Sequence, residues 1–273
     1  MGAFVLNDAL VRLAGNTLPL AQILFIRGLL TTSILLIFGF YAGIFKLKIS
    51  GGDKWRICFR SIAEALTSYF FLTAIIHMPF ANVTAILQTL PMTVTLAAAL
   101  VFREKVGIFR IILIVAGFFG VILIINPSAD GFNLYSGYAL ISVALITLRD
   151  MLTRKLTADV PVLLPTFFAS LGVLLFSTML MTNTPIEPLS LTNSLYIFGA
   201  AFFIIFGYYT AVLVMRIGEI SFIAPFRYSA ILFALLIGFI FFKEQPDAYA
   251  FIGIAIIMFS GIFITLRNNK KLT

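Results

Sequence analysis

The sequence predicts an all-α integral membrane protein, with ten transmembrane helices built as two inverted five-helix repeats. Three observations lead there. Of 273 residues, 61% are hydrophobic and only 11% charged, whereas a soluble domain is roughly 45–50% apolar and about 25% charged. The chain divides into ten apolar stretches at Gly, Pro and charge breaks, and most approach the roughly 20 residues that a spanning helix needs. The connections alternate between basic and poor in Lys and Arg, Lys243, flanked by Glu244 and Asp247, being the one basic residue on the opposite side, the charge asymmetry of a polytopic membrane protein.

The stretches run at 2–14, 20–43, 57–76, 81–101, 107–125, 135–153, 162–182, 194–215, 219–242 and 247–266. The first reaches only about 20 Å at 1.5 Å per residue. A truncated helix, a start lying upstream and a partial span all remain open for it. Lys46, Lys48, Lys54 and Arg56 follow the second stretch, and Arg103, Lys105 and Arg110 the fourth. Arg154 and Lys155 follow the sixth, Arg216 ends the eighth, and Arg267, Lys270 and Lys271 follow the tenth. Connections 77–80, 126–134 and 183–193 contain no Lys or Arg. Basic loops stay in the cytoplasm, so both termini are expected there, as an even number of spans requires.

The chain also resembles itself. Phe102-Arg103-Glu104 closes the fourth stretch and Phe242-Lys243-Glu244 the ninth, each followed by a helix with spaced Gly and Ala. Tyr69-Phe70-Phe71 has a rough counterpart in Tyr208-Tyr209. The separation is five helices. An odd number per repeat turns the second copy upside down in the bilayer, the plan of secondary transporters with a midplane site. The expected repeats are 1–126 and 133–269, within one membrane domain covering 1–273.

Five charges fall inside or at the edge of these stretches: Arg27, Arg60, Glu64, Asp150 and Arg227. A charge at membrane depth costs a few kcal/mol or more, faces a cavity or partner, and marks a pathway by default. Arg60 and Glu64 are four apart and can pair on one helix face. Such a pair either holds substrate or locks the third helix to a neighbour. Asp150, with Arg154 four residues on, reads as an interfacial pair. Arg27 and Arg227 have no acidic neighbour within four positions and need a carboxylate on another helix, carbonyls or an anionic ligand. Asn7-Asp8 opens a polar face of the first helix. Thr84, Gln88, Pro91 and Thr95, spaced i, i+4, i+7, i+11, fall on a single polar stripe of the fourth helix. Pro91 and Pro225 each remove a helical hydrogen bond and free a carbonyl. Tyr69, Tyr208, Tyr209 and Tyr228 offer aromatic surface. The candidate substrate site is thus Asp8, Arg27, Glu64, Tyr69, Gln88, Tyr209, Arg227 and Tyr228, with no catalytic residue among them.

Other classes are disfavoured. The net charge of +8 belongs to cytoplasmic loops, with no basic-aromatic patch for nucleic acid. One Cys and one His fall short of the four ligands of a typical zinc site, so no metal or other cofactor is expected. Cys58 reads as a small apolar filler. No signal peptide is evident. The phosphate loop GxxxxGK[ST], HExxH and GxSxG are missing, which argues against ATP hydrolysis and hydrolase chemistry. Asp150 and Glu104 are mild candidates for interfacial lipid chemistry, each beside a basic residue.

Ten helices in inverted halves, with Glu104 and Glu244 closing the fourth and ninth, resemble the drug/metabolite transporter superfamily, EamA family, over essentially the whole chain. Asn7-Asp8-Ala9-Leu10-Val11-Arg12, Phe25-Ile26-Arg27 and Ala224-Pro225-Phe226-Arg227-Tyr228 are similar to a branch that includes riboflavin importers and S-adenosylmethionine uptake carriers. The short first helix departs from the family pattern and puts in question whether it seals the pathway. The resemblance implies a bacterial inner-membrane carrier that moves a small metabolite by alternating access, as a monomer or homodimer. Riboflavin is the first expectation. S-adenosylmethionine uptake and export of amino acids, metabolites or drugs are the alternatives.

Overall fold

The structure, a computed structural model, describes residues 1–102, 107–125, 133–217 and 228–269. The described residues form helices and no strand. In chain order these are α1 (Gly2–Ala14), α2 (Leu20–Tyr41), a 3-10 turn (Ile44–Lys46), α3 (Gly51–His77), α4 (Phe80–Leu87), α5 (Leu90–Phe102) and α6 (Ile108–Ile125). Then follow α7 (Leu134–Arg154), α8 (Leu163–Met181), α9 (Leu191–Ile217), α10 (Ser229–Phe242) and α11 (Ala248–Asn269).

Local chemistry sets the helix ends. Extended Pro19 starts α2, and Gly43, at φ 66, stops the chain just beyond it, because a left-handed residue past a helix end favours glycine. Helix α3 starts six residues before the expected position 57. Ser50 Oγ accepts from the Asp53 amide at 3.1 Å and donates to Asp53 Oδ2 at 2.8 Å. This reciprocal cap draws Gly51, Gly52 and Asp53 into the first turn. Ser190 caps α9 in one direction, accepting from the Asn193 amide at 3.1 Å.

The continuous fourth helix expected at 81–101 is two helices. Gln88 and Thr89 close α4 with tight bonds to Ala85 and Ile86 carbonyls, and α5 begins at Leu90. Pro91 cannot donate to the Leu87 carbonyl, so the ladder breaks one turn before it. The expected polar stripe is therefore split, with Thr84 and Gln88 on one helix and Thr95 on the next.

The chain forms two compact units, each drawn from both halves of the sequence. One comprises 1–2, 73–147 and 218–273, the other 3–72 and 148–217. In the first, α6 packs on α11 where Gly120 meets Gly253. A Cβ at Gly253 would lie 2.5 Å from the Gly120 carbonyl oxygen, so only glycine permits this approach. At the end of α10, Lys243 takes the left-handed conformation at φ 53, and the Glu244 amide donates to the Gly238 carbonyl at 3.0 Å. Glu244 Oε2 accepts from the Phe80 amide at 2.7 Å, capping α4. One of the two Phe-(Arg/Lys)-Glu terminators is thus a helix-to-helix fastener; its counterpart at 103–104 lies outside the described residues.

In the second unit α2 packs on α8 and α9. Thr31 and Thr32 meet Ser170 at 2.6 and 2.8 Å across the α2–α8 contact. The Gln22 side chain brackets the Glu187 backbone, accepting from its amide at 2.9 Å and donating to its carbonyl at 2.7 Å. Asn193 donates to Thr17 at 2.9 Å. At the other end Asp53, fully buried, accepts from Arg56 at 2.8 Å and from the Thr157 hydroxyl at 2.8 Å.

Among the described residues, five segments are long and apolar enough to cross a membrane: Leu20–Tyr41, Gly51–His77, Phe80–Ala97, Leu163–Met181 and Leu191–Leu213. Shorter apolar helices run at Ile111–Ile125, Ser229–Phe242 and Ala248–Phe263. Exposed Phe, Leu and Ile side chains cover their outer faces, as a lipid-facing surface requires.

Candidate functional site

Helices α1, α2, α3, α7 and α9 bring a chain of charged and polar side chains into the interior of the second unit. Arg27, 3% exposed, donates to Asn7 Oδ1 at 2.9 Å. Asn7 in turn donates to Asp8 Oδ1 at 2.8 Å. A guanidinium carries five N–H donors, so Arg27 can serve Asn7 and still engage an anionic or carbonyl ligand. Asp8 is half-buried at the edge of the same cluster.

Glu64 lies deeper, 3% exposed, and Arg149 of α7 donates to its Oε2 at 2.9 Å. Arg149 also holds Asp150 Oδ1 through Nε at 3.0 Å and a terminal nitrogen at 2.8 Å. Arg60 donates to the Thr153 hydroxyl at 2.9 Å and to the Pro165 carbonyl at 2.7 Å. Thr153 passes the connection back to the Arg149 carbonyl at 2.8 Å. Tyr208 of α9, buried against Phe4 with ring centroids 6.2 Å apart, lies in the electrostatic field of both Glu64 and Arg27. It therefore stands near both the α1–α2 part of the cluster and the α3–α7 part. Among the described residues of this cluster, the charges of Arg27, Arg60 and Arg149 are set against those of Asp8, Glu64 and Asp150.

Two expected pairings change. Glu64 pairs with Arg149 across helices, whereas Arg60, although four residues from Glu64, reaches α7 and α8. Asp150 is 4% exposed and pairs with Arg149; Arg154, its expected partner at the interface, is exposed. A second helix seated beside α3 offers a better-aimed guanidinium than the i, i+4 neighbour does.

The other candidates are placed as follows. Tyr209 is 44% exposed, and Tyr208, about 100° around the helix, turns inward instead. Tyr69 packs edge-on to Phe70 and Phe176. Gln88 and Tyr228 are buried and belong to the first unit. Arg227 and Pro225 lie outside the described residues. Cys58, expected as a filler, is exposed. No cluster of three metal-ligating side chains occurs among the described residues.

Arg149 and Tyr208 are the members that sequence reasoning underrated. Arg149 sits five residues from the end of α7, where a charge reads as interfacial. Tyr208 was visible as an aromatic beside Tyr209, but which of the two faces inward depends on where α9 packs.

Apolar helices around a compensated buried charge cluster define a polytopic membrane protein with an internal polar site. The EamA-like transporter family model matches the chain twice, at residues 3–126 and 134–267. The chain belongs to the EamA-like transporter family. It is 28% identical to a riboflavin transporter of Vibrio cholerae over 68% of this chain and 63% of that protein's length. It is 22% identical to an S-adenosylmethionine uptake transporter of Rickettsia prowazekii over 98% of this chain and 90% of that protein. A pseudopaline exporter of Pseudomonas aeruginosa is 25% identical over 98% and 93%. A solved crystal structure shares the fold at a TM-score of 0.70, with 16% identity over 100% of this chain and 96% of that one.

Proposed function

We propose that this protein is a secondary carrier of the bacterial inner membrane. It moves a small metabolite by alternating access, and riboflavin uptake is the first assignment. The observation that carries the reading is the compensated cluster of Asn7, Asp8, Arg27, Glu64, Arg149 and Tyr208, set in apolar helices of a transporter family. Arg27 supplies donors for the carbonyl-rich edge of a flat heteroaromatic, and Tyr208 with Phe4 supplies an aromatic surface. In this reading ten spans form two inverted repeats, with both termini in the cytoplasm and the protein acting as a monomer or homodimer. The chemistry is binding and release, with no catalytic step.

S-adenosylmethionine is the second reading. It is favoured by relatives of that name that span nearly the whole chain and by Asp8, a half-buried carboxylate suited to a sulfonium. Glu64, already held by Arg149, is less suited to that role.

The test is flux into proteoliposomes with a panel of labelled substrates. Saturable riboflavin uptake, lost in Arg27→Ala with the variant still folded, supports the first reading. Uptake of S-adenosylmethionine alone, reduced in Asp8→Asn, replaces it with the second. No saturable flux of any panel member in either direction defeats both.

A further inference from the structure

An apolar groove of about 570 Å³ runs along the outside of the second unit between α3 and α8. Lys54, Cys58 and Ile62 form one wall, and Leu171, Leu175 and Met179 the other. The four-residue steps along each helix make these two parallel faces. Their floor is tight, since a Cβ on Gly172 would lie 2.9 Å from the Ser61 carbonyl oxygen. The Ser61 hydroxyl donates to the Ile57 carbonyl at 2.8 Å and so presents no unmet polar group to the groove.

Three observations identify the occupant. The α3 wall runs from Lys54 to Leu66, about 18 Å at 1.5 Å per residue. That is close to the roughly 15 Å of one leaflet in a hydrocarbon core of about 30 Å. The mouth is basic: exposed Lys54 lines it, exposed Lys46 and Lys48 precede it, and neighbouring Asp53 is neutralised by Arg56 at 2.8 Å. Trp55, 66% exposed and stacked on Phe59 at 5.8 Å, stands beside Lys54. Exposed tryptophan settles at the headgroup level of a bilayer. Lys54 therefore stands at phosphate depth, with an apolar slot one leaflet long beneath it.

We propose that the α3–α8 groove seats one acyl chain of an anionic phospholipid, with its phosphate held by Lys54. The site is separate from the buried charge cluster and does not depend on which metabolite the carrier moves. A second copy of the chain covering the same face is the competing occupant.

Trp55 is the chain's one tryptophan and Cys58 its one cysteine, so both report without added labels. The protein is reconstituted in phosphatidylcholine vesicles with rising fractions of chain-brominated phosphatidylglycerol or chain-brominated phosphatidylcholine, and quenching of Trp55 is followed. Half-maximal quenching is expected at about five-fold lower mole fraction for phosphatidylglycerol, the size of one lysine–lipid contact. Lys54→Gln is expected to remove the preference and Lys54→Arg to keep it. Cys58→Phe, which fills the slot and leaves every charge in place, is expected to remove it too. Equal quenching by the two lipids overturns the proposal. So does a preference that survives Cys58→Phe, because that is diffuse attraction to the basic loop. Efficient Cys58–Cys58 cross-linking between copies, without lipid preference, assigns the face to a dimer instead.

Discussion

Arg149 is held on two sides by carboxylates, and taking one away leaves a guanidinium buried with half its compensation. Glu64→Ala and Arg149→Ala are each expected to cost about 3–5 kcal/mol, the range for breaking a buried pair from one side. The double variant should cost less than the sum, because it leaves no orphaned partner. Thermal unfolding in detergent across the four-member cycle measures this, and strict additivity would show that the two side chains act independently. Arg27 is a different case, since its Asn7 partner is neutral. Asn7→Ala is expected to keep the fold and raise the KM for the transported metabolite with little change in kcat, because it frees Arg27 to wander from its binding position. A change in kcat alone would instead place Asn7 in the conformational step. The sequence showed that these charges were expensive and interior. It did not show who pairs with whom, because an i, i+4 rule works within one helix and the decisive partner stands on another.

At the level of single helices, the ends are where the sequence was hardest to read. Gly51, Gly52 and Asp53 look like loop, yet Ser50 and Asp53 cap each other and pull them into α3. Ser50→Ala is expected to lower stability by about 1 kcal/mol, the usual value of an N-cap. Lys243 poses the opposite problem, a side-chain-bearing residue in left-handed backbone at φ 53. Lys243→Gly is expected to gain up to about 1 kcal/mol as that strain is relieved, read as a raised Tm in detergent. A lowered Tm would show that the Lys243 side chain contributes more than its backbone costs. The Pro91 break was legible as a lost hydrogen bond but not as the end of a helix, since prolines in membrane helices often only kink them. By contrast, the apolar cores of α2, α6 and α8 were plain from hydropathy alone, because lipid exposure leaves no room for polar alternatives.

For the molecule as a whole, composition and loop charge were enough to indicate a helical membrane protein, and the family match at 3–126 and 134–267 agrees with a two-repeat chain. What the repeat pattern did not convey is that each compact unit mixes both halves of the sequence. Sequence similarity records descent from a duplicated segment, whereas packing follows whichever apolar faces fit. The Gly120–Gly253 contact joins the fifth stretch of one half to the last stretch of the other. Gly253→Leu is expected to separate α6 from α11 and to abolish monodisperse extraction, with size-exclusion elution as the readout. An unchanged elution profile and Tm would mean that the two helices find another register.

The fasteners at the helix ends also set an order of assembly. Phe80 waits for Glu244, 164 residues later; Gln22 waits for Glu187, 165 later; Thr17 waits for Asn193, 176 later. A ribosome delivers the early helices first, and each can insert on its own, but these three bonds cannot form until the second half emerges. The nascent protein therefore lacks these three fastenings through much of its synthesis. Expressed as two pieces divided within 126–134, neither half should accumulate alone, while both together should recover a protease-resistant complex.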